Sequence, residues 1–312
     1  MHFFLVLLIW LVFVDLAIAA DSAFVIGVNH CPQFVLSDGS KPRPLRGAEA
    51  DADAIAELLI STFGFAKSNV MLLKGEHATL SAIRAGFKRF QMDHKPGDRF
   101  VFHFSGHGTQ IPDQKPFDED DDLDEALCVF DAESSGKNLL VDDELGRWLE
   151  DLPSTAVTVL LDCCHAGTGH KELDDEIQSR FLPSRLMGSG GSRETPWRDL
   201  RGQQKSFNRQ TAAFFACRSE QQAYERRLPG AKVNETRRAG QFTHFLSQGL
   251  QTGDADLDGD GRITQQEVQR YLERRLNESF NAHRSAIVDQ QLPILDSDRP
   301  GATMFFFGDR KE

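Results

Sequence analysis

Phe100-Val101-Phe102-His103-Phe104 runs without a break into Ser105-Gly106-His107-Gly108, and residues 157–161 run in the same way into Asp162-Cys163-Cys164-His165-Ala166-Gly167. Each is a short apolar run, as a strand buried on both faces requires, ending in small and reactive residues. In open parallel α/β sheets ligands gather at the carboxyl ends of strands, so two such ends on neighbouring strands bring a thiol and an imidazole to one place. Working outward, comparable runs occupy 23–28, 69–73, 99–104, 156–161, 212–217 and 302–307. Between them, 49–63 and 79–92 carry apolar residues at three- and four-residue spacing. Residues 142–149 open with acids that favour a helix start, and 239–251 and 265–280 also read as helices. The expected fold is α/β: a three-layer sandwich with a mostly parallel sheet of about six strands and helices on both faces.

The chain has 312 residues, enough for a sizeable core, and a formal net charge of -12, with 47 Asp and Glu against 35 Lys and Arg. That balance excludes a nucleic-acid partner, which needs clustered cations, and suits calcium or a basic substrate. Residues 3–14 are almost unbroken apolar chain and Ala17-Ile18-Ala19 follows with a small-x-small pattern, so residues 1–20 read as a signal peptide. Export to a periplasmic or secreted location follows, with no stable membrane association after cleavage. Five cysteines at no framework spacing leave at least one thiol free. The remainder divides into a catalytic region, 21–170, a linker, 171–209, and a region 210–312. The linker is marked by failed periodicity, Gly188-Ser189-Gly190-Gly191-Ser192 and scattered arginines, among them Arg180 and Arg185.

A thiol and an imidazole at adjoining strand ends form a nucleophile and its base. The backbone amides of Gly108 and Cys164 are the candidate oxyanion donors. Phe104-Ser105-Gly106-His107-Gly108-Thr109 and Asp162-Cys163-Cys164-His165-Ala166-Gly167 resemble the two signature blocks of the caspase and metacaspase cysteine peptidases, including bacterial caspase homologues. His107 precedes Cys164 by 57 residues, near the roughly 50 of caspases. The resemblance implies a caspase-like fold, Cys164 as nucleophile, His107 as base and hydrolysis through a thioester. It departs where the family usually has Ser in place of Ala166.

The same resemblance places Asp51, Ser105 and Asp162 in the pocket for the residue before the cut bond, the P1 residue. Carboxylates in such a pocket select Arg or Lys and repel Asp, so the expected partners are proteins or peptides with basic P1 residues. The arginines of the linker would then make it a place for self-cutting. Asp256-Leu257-Asp258-Gly259-Asp260-Gly261-Arg262-Ile263-Thr264-Gln265-Gln266-Glu267 matches an EF-hand loop, within 254–267. Its calcium ligands would be Asp256, Asp258, Asp260, the Arg262 carbonyl, Thr264 and Glu267. By resemblance, a second calcium site falls on Asp122, Asp142 and Asp143. Two other readings stay open: a legumain- or clostripain-like peptidase with another P1 preference, and a calcium-dependent binding protein that kept the fold without turnover.

Overall fold

A computed structural model of the protein describes residues 20–113, 123–154, 156–164, 177–183, 210–218, 221–228, 237–282, 290–297 and 299–304. Residues 1–19 of the expected signal segment, and Asp122, lie outside them. The elements are β1 (Asp21–Gly27), α1 (Ala48–Glu57), β2 (Val70–Lys74), α2 (Leu80–Asp93), β3 (Arg99–Ser105), β4 (His107–Pro112), β5 (Leu123–Cys128) and β6 (Leu140–Val141). They continue with α3 (Asp142–Glu150), β7 (Ala156–Asp162), β8 (Ile177–Ser179), β9 (Gln210–Phe215), β10 (Tyr224–Arg227), β11 (Arg238–Gly240), α4 (Gln241–Thr252), α5 (Gln265–Ala282) and β12 (Ile294–Ser297).

The main sheet has six strands in the order β12-β9-β7-β3-β1-β2, parallel except for β12, which runs antiparallel to β9. Because side chains alternate across a strand, each apolar run feeds two cores. Phe24, Phe100, Phe102, Phe104, Val157 and Val159 pack on one side with α2 and α3; Phe24 and Phe87 meet edge to face at 5.4 Å. Ala23, Val25, Val101, Leu160 and Phe214 pack on the other with α1, α4 and α5. Helix α2 starts where Thr79 accepts from the Ala82 amide at 3.2 Å, one residue inside the stretch expected to be helical. The chain leaves β1 toward β2 on one side and β3 on the other, and this change of direction opens a crevice at the carboxyl edge.

Two small sheets, β4-β5-β6 and β11-β10-β8, flank that edge. Of the expected last strand at 302–307, residues 305–307 lie outside the described residues and Thr303 makes a bridge to Thr264; the sixth strand of the described sheet is β12. Pro293, Asp296 and half-buried packing hid β12 from an apolar-run criterion, as an edge strand permits. Within the stretch expected to be linker, residues 177–183 are built into the structure, with β8 antiparallel to β10. No helix among the described residues is long and apolar enough to cross a membrane. All five cysteines are free thiols and buried.

Candidate active site

β3 and β7 pair in parallel with Ser105 opposite Asp162, and the Gly106 amide donates to the Asp162 carbonyl at 3.3 Å. His107 and Cys164 each lie two residues beyond that last pair, so they leave neighbouring strands at the same edge. Both are buried, at 2 % and 1 % exposure. The Cys164 Sγ is 4.0 Å from Ser179 Oγ and 3.9 Å from the Ala223 carbonyl oxygen. Cys163 faces the opposite core, and burial above all holds its thiol well above the ordinary value. Cys164 faces the other core, beside Ser179 and Ala223.

The three residues expected to line a pocket come together around a fourth that was expected to lie in a linker. Arg180 is fully buried, and its guanidinium is 2.6 Å from Asp51 Oδ2, 3.1 Å from Asp162 Oδ1 and 2.6 Å from Ser105 Oγ. Ser105 Oγ in turn donates to Asp51 at 2.8 Å. A buried guanidinium is tolerated only when paired and hydrogen-bonded, and the cost of its burial is offset here by several anionic partners. Burial alone would lower the Arg180 pKa, but Asp162, Asp51 and Glu225 more than reverse this, and it stays charged. Asp51 is pushed up to about 7, mainly by burial and further by Asp162, against the downward pull of Arg180. The pocket therefore carries more buried carboxylate than one cation neutralises.

Three contributors escaped the sequence. Glu225 is fully buried on β10, 3.8 Å from the Arg180 guanidinium, and accepts from the amides of Arg46 (2.9 Å) and Gly47 (2.9 Å). Gly240 on β11 donates to both Asp51 oxygens, at 3.1 and 3.0 Å, and a Cβ there would lie 2.6 Å from the Arg180 guanidinium carbon. Thr243, in the first turn of α4, donates its amide to Asp162 Oδ2 at 3.0 Å. None had a signal in its own neighbourhood: Tyr-Glu-Arg-Arg reads as an exposed edge, and Gly240 as a turn.

The backbone around Arg180 is gripped on both sides. Its amide donates to the Ala223 carbonyl at 3.0 Å, and its carbonyl accepts from the Gly108 amide at 2.8 Å. Leu182 donates to the Gly108 carbonyl at 2.9 Å, and Phe181 bridges Gly108 in parallel. Residues 177–182 thus lie extended between β10 and β4, across the face that carries Cys164. Behind the pocket, His103 is held neutral, with its pKa pulled down to about 3 by burial and then by Arg180.

In the acidic loop, the carboxylate oxygens of Asp256, Asp258 and Asp260 lie within 4.8 Å of one another. Gly261 takes φ +82°, the left-handed turn that favours glycine. Glu267 accepts from the amides of Leu257 (2.9 Å) and Thr264 (2.8 Å) and stands outside that trio. Hydrogen bonds to backbone amides and the Thr264 hydroxyl hold its pKa low, against the upward push of burial. Ile263 and Gln265 pair with Met304 and Ala302. Three hard oxygen donors in a turn of this shape fit a calcium ion. Of the other acidic set, Asp142 is buried in the first turn of α3 and Asp143 is 3.3 Å from Arg147. Among the described residues these two gain no third acidic ligand.

Residues 22–171 match the model of the metacaspase, peptidase C14 domain. The chain is 34% identical over 154 residues to Metacaspase-3 of Arabidopsis thaliana, covering 47% of this chain and 40% of that protein. It is 32% identical over 152 residues to Metacaspase III c of Phaeodactylum tricornutum (strain CCAP 1055/1), covering 47% and 42%. The chain thus spans about two fifths of the length of these relatives. Among solved structures, protein GSU0716 from Geobacter sulfurreducens is similar at TM-score 0.57 and 22% identity, covering 89% of this chain and 93% of that one, a likeness of fold. The strand ends that carry His107 and Cys164 both fall inside the matched span, and residues 22–171 are a metacaspase domain of the C14 cysteine peptidase family.

Proposed function

We propose that the protein is a cysteine endopeptidase that cuts after Arg or Lys through Cys164 and His107, with calcium as its cofactor. The observation that carries this reading is the chain's own Arg180. Its side chain fills the acidic pocket while its carbonyl oxygen sits on the Gly108 amide, as a P1 residue would be held. His107 takes the Cys164 proton, and the sulfur attacks the P1 carbonyl carbon. The oxygen, now bearing charge, stays on the Gly108 amide, joined by the Cys164 amide. The tetrahedral species collapses as His107 gives its proton to the leaving amine, which leaves a thioester that water hydrolyses. Asp51, Asp162 and Glu225 bind a cationic P1 side chain and would leave an Asp side chain facing three carboxylates.

Fluorogenic Arg, Lys, Asp and Asn peptides assayed with and without calcium test the reading. Arg and Lys peptides should be cut, and Asp peptides at less than about 1 % of that rate, since a like charge in the pocket costs several kcal/mol. Preferential cutting after Asn would favour the legumain-like reading, and no turnover of any peptide the binding protein. A pH dependence follows from Asp51. A cationic P1 needs Asp51 ionised, and its pKa of about 7 already includes the downward pull of Arg180, so in a pocket that Arg180 has left the carboxyl lies higher still. The kcat/KM for Arg peptides should therefore fall as pH drops through neutrality. The rate of Cys164 alkylation, followed in parallel, separates this from titration of the dyad; a flat Arg profile between pH 6 and 8 would refute it.

For calcium, Asp256, Asp258 and Asp260, with the Arg262 carbonyl, Thr264 and Glu267, are the ligands we assign. A bound ion would neutralise the acids and tie the loop to the start of α5. Calcium at about one hundred times its dissociation constant should add about 2.7 kcal/mol of stability, read as a rise in melting temperature. Asp258→Asn should lose most of that rise, and an equal rise in the variant would remove these ligands from the assignment.

A further inference from the structure

The β10–β11 hairpin and the α4–α5 pair enclose a cavity of about 540 Å³, on ground the peptidase reading does not use. Arg226, Arg227, Arg237, Arg275 and His244 line it, with Glu278 as the one carboxylate among the described lining residues. In a chain of net charge -12, so cationic a concavity is a local reversal of sign. Two of the guanidiniums are held in place: Arg226 donates to Ser279 at 2.7 Å, while Arg275 donates to Gln248 at 3.2 Å and lies over the Phe245 ring at 5.0 Å. Glu278 offsets little, since it is 3.8 Å from Arg275 and its side chain is 59% exposed. No ion pair joins Arg227 or Arg237 to a carboxylate among the described residues. The positive field reaches His244, whose pKa is lowered by burial and then by Arg275 and Arg226.

We propose that this cavity is a binding site for a small oligophosphate, gripped by Arg226, Arg227, Arg237 and Arg275. Guanidinium forks match phosphate oxygens two at a time, and a cavity of several hundred Å³ suits a small ligand. The arginines converge on it from β10, from the residue that precedes β11 and from α5, so one compact anion with many oxygens can reach them all. An extended acidic peptide cannot do the same, because carboxylates on one face of a strand are spaced by about 7 Å. The occupant would join the hairpin that contributes Glu225 and Gly240 to the acidic pocket to α5, the helix that starts at Gln265 beside the acidic loop.

The test uses the full chain in calcium-free buffer, with tripolyphosphate as probe and sodium chloride at matched ionic strength as control. Calorimetric titration should give one saturable site and thermal unfolding a raised midpoint. Arg227→Gln with Arg237→Gln should weaken affinity by about tenfold or more. Should that pair of changes prevent folding, the exposed single change Arg237→Gln is measured instead, with at least about threefold loss expected. Binding no tighter than chloride, unchanged affinity in the variant, or tighter binding of a hexa-aspartate peptide would each overturn the proposal.

Discussion

Cys164→Ala is expected to reduce hydrolysis of an Arg peptide by about 10⁴-fold or more, because residues that act as one catalytic unit fail together when the nucleophile is removed. The same change should alter what happens to the chain itself. Arg180 already sits with its side chain in the acidic pocket and its carbonyl on the Gly108 amide, so the Arg180–Phe181 bond is the one in the chain we expect Cys164 to cut first. Wild-type protein given calcium should therefore yield two fragments meeting between 180 and 181, measured by intact mass, while Cys164→Ala stays whole. Cys164 is buried in the core on the α1 and α4 side, so loss of its sulfur should cost about 1 kcal/mol and lower the melting temperature by a few degrees relative to the uncut wild type. Equal turnover by the two proteins would end the peptidase assignment. A wild type that cuts peptides but keeps its 180–181 bond would instead limit Arg180 to occupying the pocket.

Arg180→Ala should produce the largest change in stability. Its removal leaves Asp51, Asp162 and Glu225 buried without their shared cation, a loss of about 3–5 kcal/mol in the uncut chain by analogy with broken buried ion pairs. The pH dependence has a definite sign. Asp51 is already raised above its ordinary 3.8 to about 7 with Arg180 in place, and without it burial and Asp162 push it higher. A carboxyl raised in the folded state costs stability as pH climbs from its unfolded value, with the full cost reached above the folded one. The variant's deficit should thus be greatest above about pH 7 and shrink toward pH 4, as followed by urea unfolding at several pH values. Arg180→Lys, which keeps a cation, should recover much of the stability and the self-cut. The emptied pocket of Arg180→Ala should also accept added Arg peptides faster per molecule. A deficit independent of pH would mean that lost packing, and not stranded charge, governs this position.

Much of the architecture was legible locally. Apolar runs at 23–28, 99–104 and 156–161 correspond to β1, β3 and β7 because strands buried on both faces must be apolar throughout. The edge strand β12, polar and antiparallel, gave no such signal. The gathering of Asp256, Asp258 and Asp260 was legible for a similar reason, since it lies within five consecutive residues.

The amino-acid order alone determined the alternation of strands and helices, and it set His107 and Cys164 at the ends of two runs that a parallel sheet makes neighbours. Only the tertiary structure decided what fills the crevice between them. Arginine in a glycine- and arginine-rich stretch reads as solvated, because the cost of burying a guanidinium is the nearest thing to a rule that sequence offers. Asp51, Asp162 and Glu225, brought from α1, β7 and β10, reverse that rule for Arg180, and no local pattern can record a balance struck among side chains so far apart along the chain.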